Sequence, residues 1–242
     1  MTELKGRLKA IAEKIKKGET MADIGTDHGF LPFYLAENGI SPKVILADIS
    51  PGSLMKAKEN SKYVSTDAEI DFRLGDGLDV LSPGEVDVIV IAGLGATTMR
   101  QMMEKDPKHS ASFSRYIMQP RKDPGELRWF LIGNGYEIID ETLVEEGKFI
   151  CELISASPSD ADDLEERFSA ASVTEEGPLS IKWEVPPYYA LRKDDLSREY
   201  VRRKLERERA ILRSMRTSSV SADTDRTENR IAYLEEISEK MI

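Results

Sequence analysis

The chain has 242 residues, of which 34 are basic and 44 acidic, so its formal net charge is −10 at pH 7. This length allows one large or two modest domains with a buried core. One cysteine excludes an internal disulfide, and two histidines with one cysteine exclude a four-ligand Cys/His zinc site. No apolar run approaches the roughly 20 residues that span a bilayer, and the charged N-terminus has no signal-peptide core. We therefore expect a cytoplasmic protein that uses neither a membrane nor a metal.

An amphipathic helix is predicted at the start of the chain. Leu4, Leu8, Ile11 and Ile15 are spaced by four, three and four residues, which places them on one helical face. Gly18 is predicted to end this helix.

Short apolar runs then alternate with helical stretches, which is typical of parallel β-α-β units. The runs cover residues 20–24, 43–47, 70–74, 86–92 and 116–119. Two further runs, 136–144 and 149–156, are separated by a turn that contains Gly147, which predicts an antiparallel hairpin. Five parallel strands closed by a hairpin resemble the Rossmann-like sheet of class I methyltransferases, whose final strand is inserted antiparallel. The predicted fold class is therefore α/β with that sheet.

The composition changes after residue 156. Residues 157–176 are rich in acidic residues, serine and alanine, which predicts a solvated connector. Helical patterns follow over residues 188–216 and 231–241, with a polar turn at 217–225 between them. Their apolar stripes predict an antiparallel, coiled-coil-like helix pair. We therefore predict two domains, residues 1–156 and residues 157–242, of which the second is α-helical.

Polar residues follow the predicted parallel strands at the edge where such sheets bind ligands. Gly25 and Gly29 open the helix after the first strand, a position that favours an anionic or closely approaching ligand. Their spacing differs from the G-x-G-x-x-G fingerprint of nicotinamide cofactors. Asp48, after the second strand, can accept hydrogen bonds from two ribose hydroxyls, and Asp76, after the third, from an adenine amino group. Taken singly, each feature is also compatible with an ordinary turn or helix cap, but together they favour S-adenosylmethionine over NAD.

The glycine loop contains a carboxylate and a histidine. Asp27 can attract a sulfonium cation or hold a substrate amine. The alternative is a turn aspartate followed by a histidine, His28, at the start of a helix.

Several strings of the sequence resemble those of the bacterial tRNA (adenine-22-N1)-methyltransferase family. They are residues 23–32 (DIGTDHGFLP), 46–49 (LADI), 73–78 (RLGDGL), 90–95 (VIAGLG), 119–120 (QP) and 133–136 (GNGY). The resemblance covers most of residues 1–156 and extends to the layout of a helical C-terminal domain. It implies methyl transfer from S-adenosylmethionine to N1 of adenine 22, in the D-loop region of tRNA.

The resemblance and the strand-end pattern together give a set of site residues. The predicted cofactor-binding residues are Asp23, Gly25, Thr26, Asp27, His28, Gly29, Asp48, Ile49, Asp76, Gly77, Gly93 and Leu94. The predicted substrate-binding residues are Gln119, Pro120, Arg121, Arg202, Arg203 and Arg207. Asp27 is also the candidate catalytic residue, as a carboxylate that stabilises a cationic product base or takes a proton from N6.

Three residues, at two places in the chain, depart from the pattern of the resembled family. The family usually has G-M-G-G after the fourth strand, whereas this chain has Leu94 in place of methionine, which conserves shape, and Ala96 in place of the last glycine. The added Cβ is harmful only where the backbone needs a positive φ. The family favours asparagine after the Gln-Pro pair, where this chain has Arg121. Both departures lie where the substrate is expected to bind.

The residues are compatible with direct methyl transfer. Adenine N1 carries an in-plane lone pair, so no covalent catalyst is needed, and Cys151 lies in a strand pattern typical of a core residue. The acidic balance argues against polyanion binding by the whole surface, but residues 188–216 carry ten Arg or Lys and five acids. This local charge of +5 predicts a tRNA-binding arm, with a solvated face of ion pairs as the alternative. Trp183, Tyr188 and Tyr189 can stack on bases or anchor the helix.

Three other functions are compatible with parts of the sequence. A class I methyltransferase acting on a small molecule or a protein would bind the same cofactor but would not need the basic arm. A non-catalytic nucleotide-binding assembly protein would use the C-terminal helices for dimerisation, and an NAD-dependent oxidoreductase is disfavoured by the glycine spacing. We expect a monomeric tRNA-binding enzyme.

Overall fold

The predicted strands form a single sheet in a computed structural model that describes residues 3–159, 177–217 and 224–242. The strands are β1 (Met21–Ile24), β2 (Lys43–Asp48), β3 (Glu69–Leu74), β4 (Val88–Ala92), β5 (Arg115–Gln119), β6 (Tyr136–Glu146) and β7 (Phe149–Pro158). Their order across the sheet is β3-β2-β1-β4-β5-β7-β6. Strands β1 to β5 run parallel, and β7 is antiparallel to both of its neighbours. The predicted fold class is confirmed, including the inserted antiparallel strand.

Helices cover both faces of this sheet. One face packs against α1 (Gly6–Ala12), α2 (Phe30–Glu37) and α3 (Pro51–Ser61). The other face packs against α4 (Ala96–Glu104), α6 (Pro124–Gly133) and a 3-10 turn at Gly77–Val80, and the short α5 (Pro107–Ser110) follows α4. Because β4 is covered on both faces, its first four residues are fully buried, which explains its uninterrupted apolar sequence.

The N-terminal helix is shorter than predicted. The predicted face is buried at Leu4, Ile11 and Ile15, but α1 ends at Ala12. The backbone then tightens, because Ile15 N–H donates to Ala12 O at 3.1 Å and the Arg115 guanidinium takes the Lys14 carbonyl at 2.8 Å. Ile15 therefore reaches the core from a turn, and the prediction that Gly18 ends the helix is wrong.

The second unit is an antiparallel helix pair with a short aromatic lead-in. Its elements are α7 (Ile181–Glu184), a 3-10 turn (Pro187–Leu191), α8 (Asp195–Thr217) and α9 (Asp225–Lys240). The antiparallel direction follows from two contacts, Lys193 Nζ to Lys240 O at 3.0 Å and Arg216 to Glu228 at 2.9 Å. The predicted helix pair is confirmed, with Leu205 and Leu234 buried in its interface.

The long basic helix starts later than predicted. Residues 188–191 form part of a 3-10 turn rather than the start of the helix. The Asp194 carboxylate accepts hydrogen bonds from the Ser197 backbone N–H and hydroxyl, both at 2.8 Å, and so caps the first turn of α8.

The two compact units are Met1–Glu175 and Glu176–Ile242. The predicted boundary after residue 156 falls inside β7, which continues to Pro158 because its last residues pair with Tyr136 and Glu137 of β6. Most of the predicted connector, residues 160–176, and most of the predicted polar turn, residues 218–223, lie outside the described residues.

Candidate active site

The glycine loop after β1 meets the loop after β4 where the strand order of the sheet reverses. Gly25 has a φ of 83°, and its backbone N–H donates to Ala47 O at 2.8 Å. A Cβ at Gly25 would lie 3.5 Å from Leu94 Cδ1. Glycine therefore allows a left-handed turn and leaves space between the two loops.

Gly29 is required by both its conformation and its surroundings. Its φ is 73°, and it caps the N-terminus of α2. A Cβ there would lie 2.5 Å from Phe33 Cε2 and 2.8 Å from Leu46 Cδ2. Gly29 thus shapes the loop by allowing α2 to pack closely on β2.

A partly buried carboxylate lies beneath this loop. Burial, and to a smaller extent the Asp48 carboxylate, raise the pKa of Asp23, while the Thr26 side chain and Arg7 lower it, and the net result is a pKa of about 6. The Thr26 hydroxyl is buried and makes no hydrogen bond of ordinary geometry in the described structure. Asp23 is therefore anionic at neutral pH and protonated in mild acid.

Asp48 ends β2 between two exposed apolar side chains. Its carboxylate accepts a hydrogen bond from Ser50 N–H at 2.7 Å, which fixes its direction and leaves acceptor capacity. Ile49, the next residue, is 69% exposed. Leu74, which is paired in register with Asp48 on the neighbouring strand β3, is 60% exposed. A carboxylate flanked by exposed apolar side chains suits a ligand with hydroxyls and a flat apolar ring.

Asp76 lies beside a cavity of about 450 Å³ between the 3-10 turn and α4. Gly77 has a φ of 55°, and a Cβ there would lie 2.9 Å from Met102 Cγ. Lys105 Nζ lies 3.7 Å from the Asp76 carboxylate and contacts Asp79 more closely. Asp76 is 60% exposed, so it is available to a ligand on this side of the sheet.

Asp27 points toward α3 rather than into the sheet. Lys56 Nζ donates to its carboxylate at 3.0 Å, and His28 Nε2 lies 3.2 Å away on the other oxygen. The Lys56 hydrogen bond lowers the pKa of Asp27, so this carboxylate stays charged. His28 stacks on Phe30, and its carbonyl accepts from Asn60 at 2.9 Å.

The substrate-binding residues predicted after β5 divide into buried and exposed members. Gln119 is 2% exposed, and its side chain is satisfied by Arg7 Nη1 and the Pro120 carbonyl, each at 2.9 Å. Pro120 is buried as well, whereas Arg121 is exposed and has no ion pair among the described residues. Gln119 therefore supports the site from beneath, and Arg121 is the member that can contact a substrate.

The two departures from the resembled family are tolerated structurally. Ala96 is fully buried at the first position of α4 and does not adopt a positive φ, so its Cβ introduces no backbone strain. Arg121 N–H donates to Leu94 O at 2.6 Å, which ties the loop after β5 to the loop after β4.

The predicted basic arm forms part of α8, within the second unit. Arg202 pairs with Glu199 at 2.7 Å and also with Glu206, and Arg203 pairs with Glu199 at 2.6 Å. Arg207 is exposed and has no ion pair within the described ranges. Trp183 and Tyr189 are buried, which favours the anchoring alternative, whereas Tyr188 is 39% exposed.

Three contributors to this edge were not identified from the sequence. Arg7 reaches Gln119 from α1, Lys56 holds Asp27 from α3, and Leu74 provides an exposed apolar surface beside Asp48. All three are contacts over long sequence separations. Of the three, only Leu74 carried a signal in the sequence, because it is the last residue of a predicted strand.

The residues fit S-adenosylmethionine, which has an amino-acid part, a ribose and an adenine. The end of β1 provides the anionic Asp23 and space beside Gly25. The end of β2 provides acceptor capacity on Asp48, and the end of β3 provides the exposed Asp76. Within the described residues, no cluster of three metal-ligating side chains occurs, and no helix is long and apolar enough to cross a membrane.

This sheet and this edge define a methyltransferase of the Rossmann-like type, and a family model described as a methyltransferase domain matches residues 4–154. The chain is 34% identical over 184 residues to the tRNA (adenine(22)-N(1))-methyltransferase of Bacillus subtilis. The aligned region covers 75% of this chain and 77% of that protein. The chain belongs to this tRNA (adenine-22-N1)-methyltransferase family.

Solved structures agree with this assignment. The crystal structure of the B. subtilis M1A22 tRNA methyltransferase has a TM-score of 0.76 and 28% identity, covering 100% of this chain and 98% of that chain. A structure of the M. capricolum enzyme with S-adenosyl-homocysteine has a TM-score of 0.76 at 22% identity, covering 99% of each chain, and shows the shared fold.

Proposed function

We propose that this protein transfers the methyl group of S-adenosylmethionine to N1 of adenine 22 in tRNA. The observation that carries this proposal is the close approach of the Gly25 and Leu94 loops, with space between them, at the reversal of strand order and beside three strand-end carboxylates. Membership of the family supports the same activity, since the B. subtilis relative is named for it.

The cofactor would be held by groups from three strand ends. Asp48 would accept hydrogen bonds from the ribose hydroxyls, Asp76 would accept one from the adenine amino group, and Ile49 would contact the ring. Asp23, which is anionic at neutral pH, would face the positively charged amino-acid part. When bound, the cofactor supplies an electrophilic methyl group.

The protein's task in the reaction is to position the base and exclude water. N1 of adenine provides the electron pair for the new bond, so no side chain has to act as a nucleophile. The Gly93–Leu94 loop would hold the base beside Gly25, and because N1 lies on the Watson–Crick edge, the base must be unpaired or flipped out. Cys151 is half-buried in β7, consistent with a structural role.

Methylation at N1 leaves a positive charge on the base. Asp27 remains our candidate for stabilising that charge, because the Lys56 hydrogen bond lowers its pKa and keeps it anionic. The same lowered pKa makes Asp27 a weak proton acceptor, which favours electrostatic stabilisation over removal of a proton from N6.

The helical unit would contribute to tRNA binding through its basic residues. Of the three arginines of α8 predicted to bind the substrate, Arg207 has no ion pair with a described carboxylate, whereas Arg202 and Arg203 are engaged by Glu199. An RNA contact through Arg207 would therefore need no rearrangement of existing ion pairs.

The test is methyl transfer from labelled S-adenosylmethionine to two tRNA transcripts that differ only in adenine or guanine at position 22. We expect label on the adenine transcript alone, located at N1 by mass spectrometry of the nucleosides. Asp76→Ala should weaken cofactor binding measured by calorimetry. Labelling of neither transcript, with intact cofactor binding, would exclude the tRNA substrate and leave a methyltransferase for a small molecule or protein.

A further inference from the structure

Three cations surround the loop that follows β4. We propose that Arg7, Arg121 and Lys122, which we call the cationic rim, bind a phosphodiester of the RNA backbone next to the target base. This inference rests on the proposed function, because it assumes that an RNA base enters beside Gly93 and Leu94.

The first cation comes from the N-terminal helix. A Cβ at Gly93 would lie 3.4 Å from Arg7 Nη1, so the guanidinium lies beside the loop. Gln119 Oε1 accepts from the same nitrogen at 2.9 Å, and Glu146 lies 3.9 Å from Nε. Arg7 is thus held in place by the buried Gln119 side chain and by Glu146, whose carboxylate also accepts from the Arg7 backbone N–H at 2.9 Å.

The other two cations come from the segment after β5. Arg121 N–H donates to Leu94 O at 2.6 Å, and Lys122 O accepts from Ala96 N–H at 3.4 Å, so backbone contacts fix this segment against the loop. Lys122 Cε would lie 3.3 Å from a Cβ at Gly95. The Arg7 side chain, the Arg121 backbone and the Lys122 side chain therefore lie along three successive loop residues, 93 to 95.

The side chains of Arg121 and Lys122 are available for a ligand. Both are exposed, and neither has an ion pair among the described residues. Glu126, a nearby acid on α6, is already engaged by Thr97 at 2.8 Å and by Arg100 at 3.0 Å. Exposed, unpaired cations on a loop of fixed geometry are suited to an anion that is brought to them.

The position of the rim identifies the anion as a backbone phosphate. A base inserted beside Gly93 and Leu94 carries a phosphodiester on each side of its nucleotide, and these groups remain at the mouth of the pocket. Phosphate contacts fix register and orientation without reading sequence. The rim would therefore act as a positioning device in the catalytic unit itself, separate from the basic residues of α8.

The test measures tRNA binding as a function of salt for Arg121→Gln, Lys122→Gln and the double variant. Each substitution should reduce the slope of log affinity against log salt by about 1, and the double variant should bind about tenfold more weakly. Arg121→Lys and Lys122→Arg keep the charge and should restore the slope. Lys62→Gln is the matched control, because Lys62 is exposed at the C-terminal end of α3, away from the strand ends of the site.

A second measurement localises the contact. A tRNA assembled by ligation with a neutral methylphosphonate on the 5′ or the 3′ side of adenine 22 should bind the unaltered protein more weakly. At the phosphate that the rim contacts, the methylphosphonate should not weaken tRNA binding by the double variant any further. The turnover number of the double variant should fall along with its affinity for tRNA. Cofactor affinity, measured by calorimetry, should not change.

Several outcomes contradict the rim. The proposal is overturned if the Arg121 and Lys122 variants show the same salt slope as Lys62→Gln. It is also overturned if the loss of affinity in the double variant adds to the loss caused by each of the two methylphosphonates. Either result counts against the rim even if the unaltered protein methylates adenine 22. Conversely, tRNA binding with rim-dependent slopes but no methylation would contradict the proposed function alone. Absence of tRNA binding by the unaltered protein would overturn both.

Discussion

At the scale of single residues, the partly buried Asp23 carboxylate combines a structural cost with a functional charge. Burial raises its pKa to about 6, above the 3.8 of the free side chain. The native state therefore holds this proton more tightly than the unfolded chain does. Stability is greatest when the group is protonated in both states and falls as the pH rises through about 6.

Asp23→Asn should accordingly stabilise the protein at neutral pH while weakening cofactor binding. We expect a gain of up to about 3 kcal/mol in the free energy of unfolding above pH 6, which shrinks between pH 6 and 4. Urea denaturation across this pH range measures the gain. A gain that is constant with pH would show that the carboxylate is not the cause.

Gly29 offers a second prediction at this scale, with a natural control. Gly29→Ala places a methyl group 2.5 Å from Phe33 in a backbone with a φ of 73°. We expect a loss of about 2–4 kcal/mol in unfolding free energy, from left-handed strain and overpacking together. Gly39→Ala, with a φ of 60° and nothing within 4 Å, should lose only about 1–2 kcal/mol. Equal losses would show that packing against Phe33 makes no contribution.

At the scale of elements, α6 is tied to the terminal hairpin by a buried ion cluster. Arg128 is 1% exposed, and its guanidinium contacts Glu141 of β6 and Glu152 of β7, each at 2.5 Å. Because a buried carboxylate is costly without a compensating charge, the arginine stabilises both acids.

Arg128→Met should therefore destabilise the protein by about 3–5 kcal/mol, because it leaves two buried carboxylates without their cation. Arg100→Met is the matched control, since Arg100 pairs with Glu104 and Glu126 at a half-exposed position and should lose less than about 1 kcal/mol. Thermal or urea unfolding of the two variants gives the comparison. A small effect of Arg128→Met would mean that the two carboxylates find other partners.

Elements with local sequence signals were predicted well. The apolar runs and the Gly147 turn located every strand of the sheet. The end of α1 was not predictable, because it depends on Arg115 binding the Lys14 carbonyl from another element. Arg7 was missed for the same reason, since its partner Gln119 lies 112 residues away in sequence.

At the scale of the whole molecule, a chain of net charge −10 has to attract a polyanion through local surfaces. Most basic residues of α8 are neutralised by acids, for example Arg209 by Glu235 at 2.6 Å and Arg216 by Glu228 at 2.9 Å. Arg207 and Arg213 have no ion pair within the described ranges. The effective positive surface of this unit is therefore smaller than its composition suggests.

Arg207→Ala should reduce the slope of log tRNA affinity against log salt by about 1, because one phosphate contact is lost. Arg202→Ala should leave the slope nearly unchanged, since Glu199 and Glu206 already occupy that guanidinium. Filter binding at several salt concentrations measures both slopes. A larger change for Arg202→Ala would place the contact on the ion-paired face of α8.

The position of β7 in the sheet has a consequence for how the chain is made. Because β7 lies between β5 and β6 in the sheet, the edge of β5 that faces away from β4 has no partner until residues 154–156 have been synthesised. Tyr116, Ile117 and Met118, which are fully buried in the finished sheet, are exposed at an open edge during that interval. Nascent chains that stall within the hairpin are therefore expected to aggregate or to recruit chaperones, whereas the helical unit emerges from the ribosome after this hazard has passed.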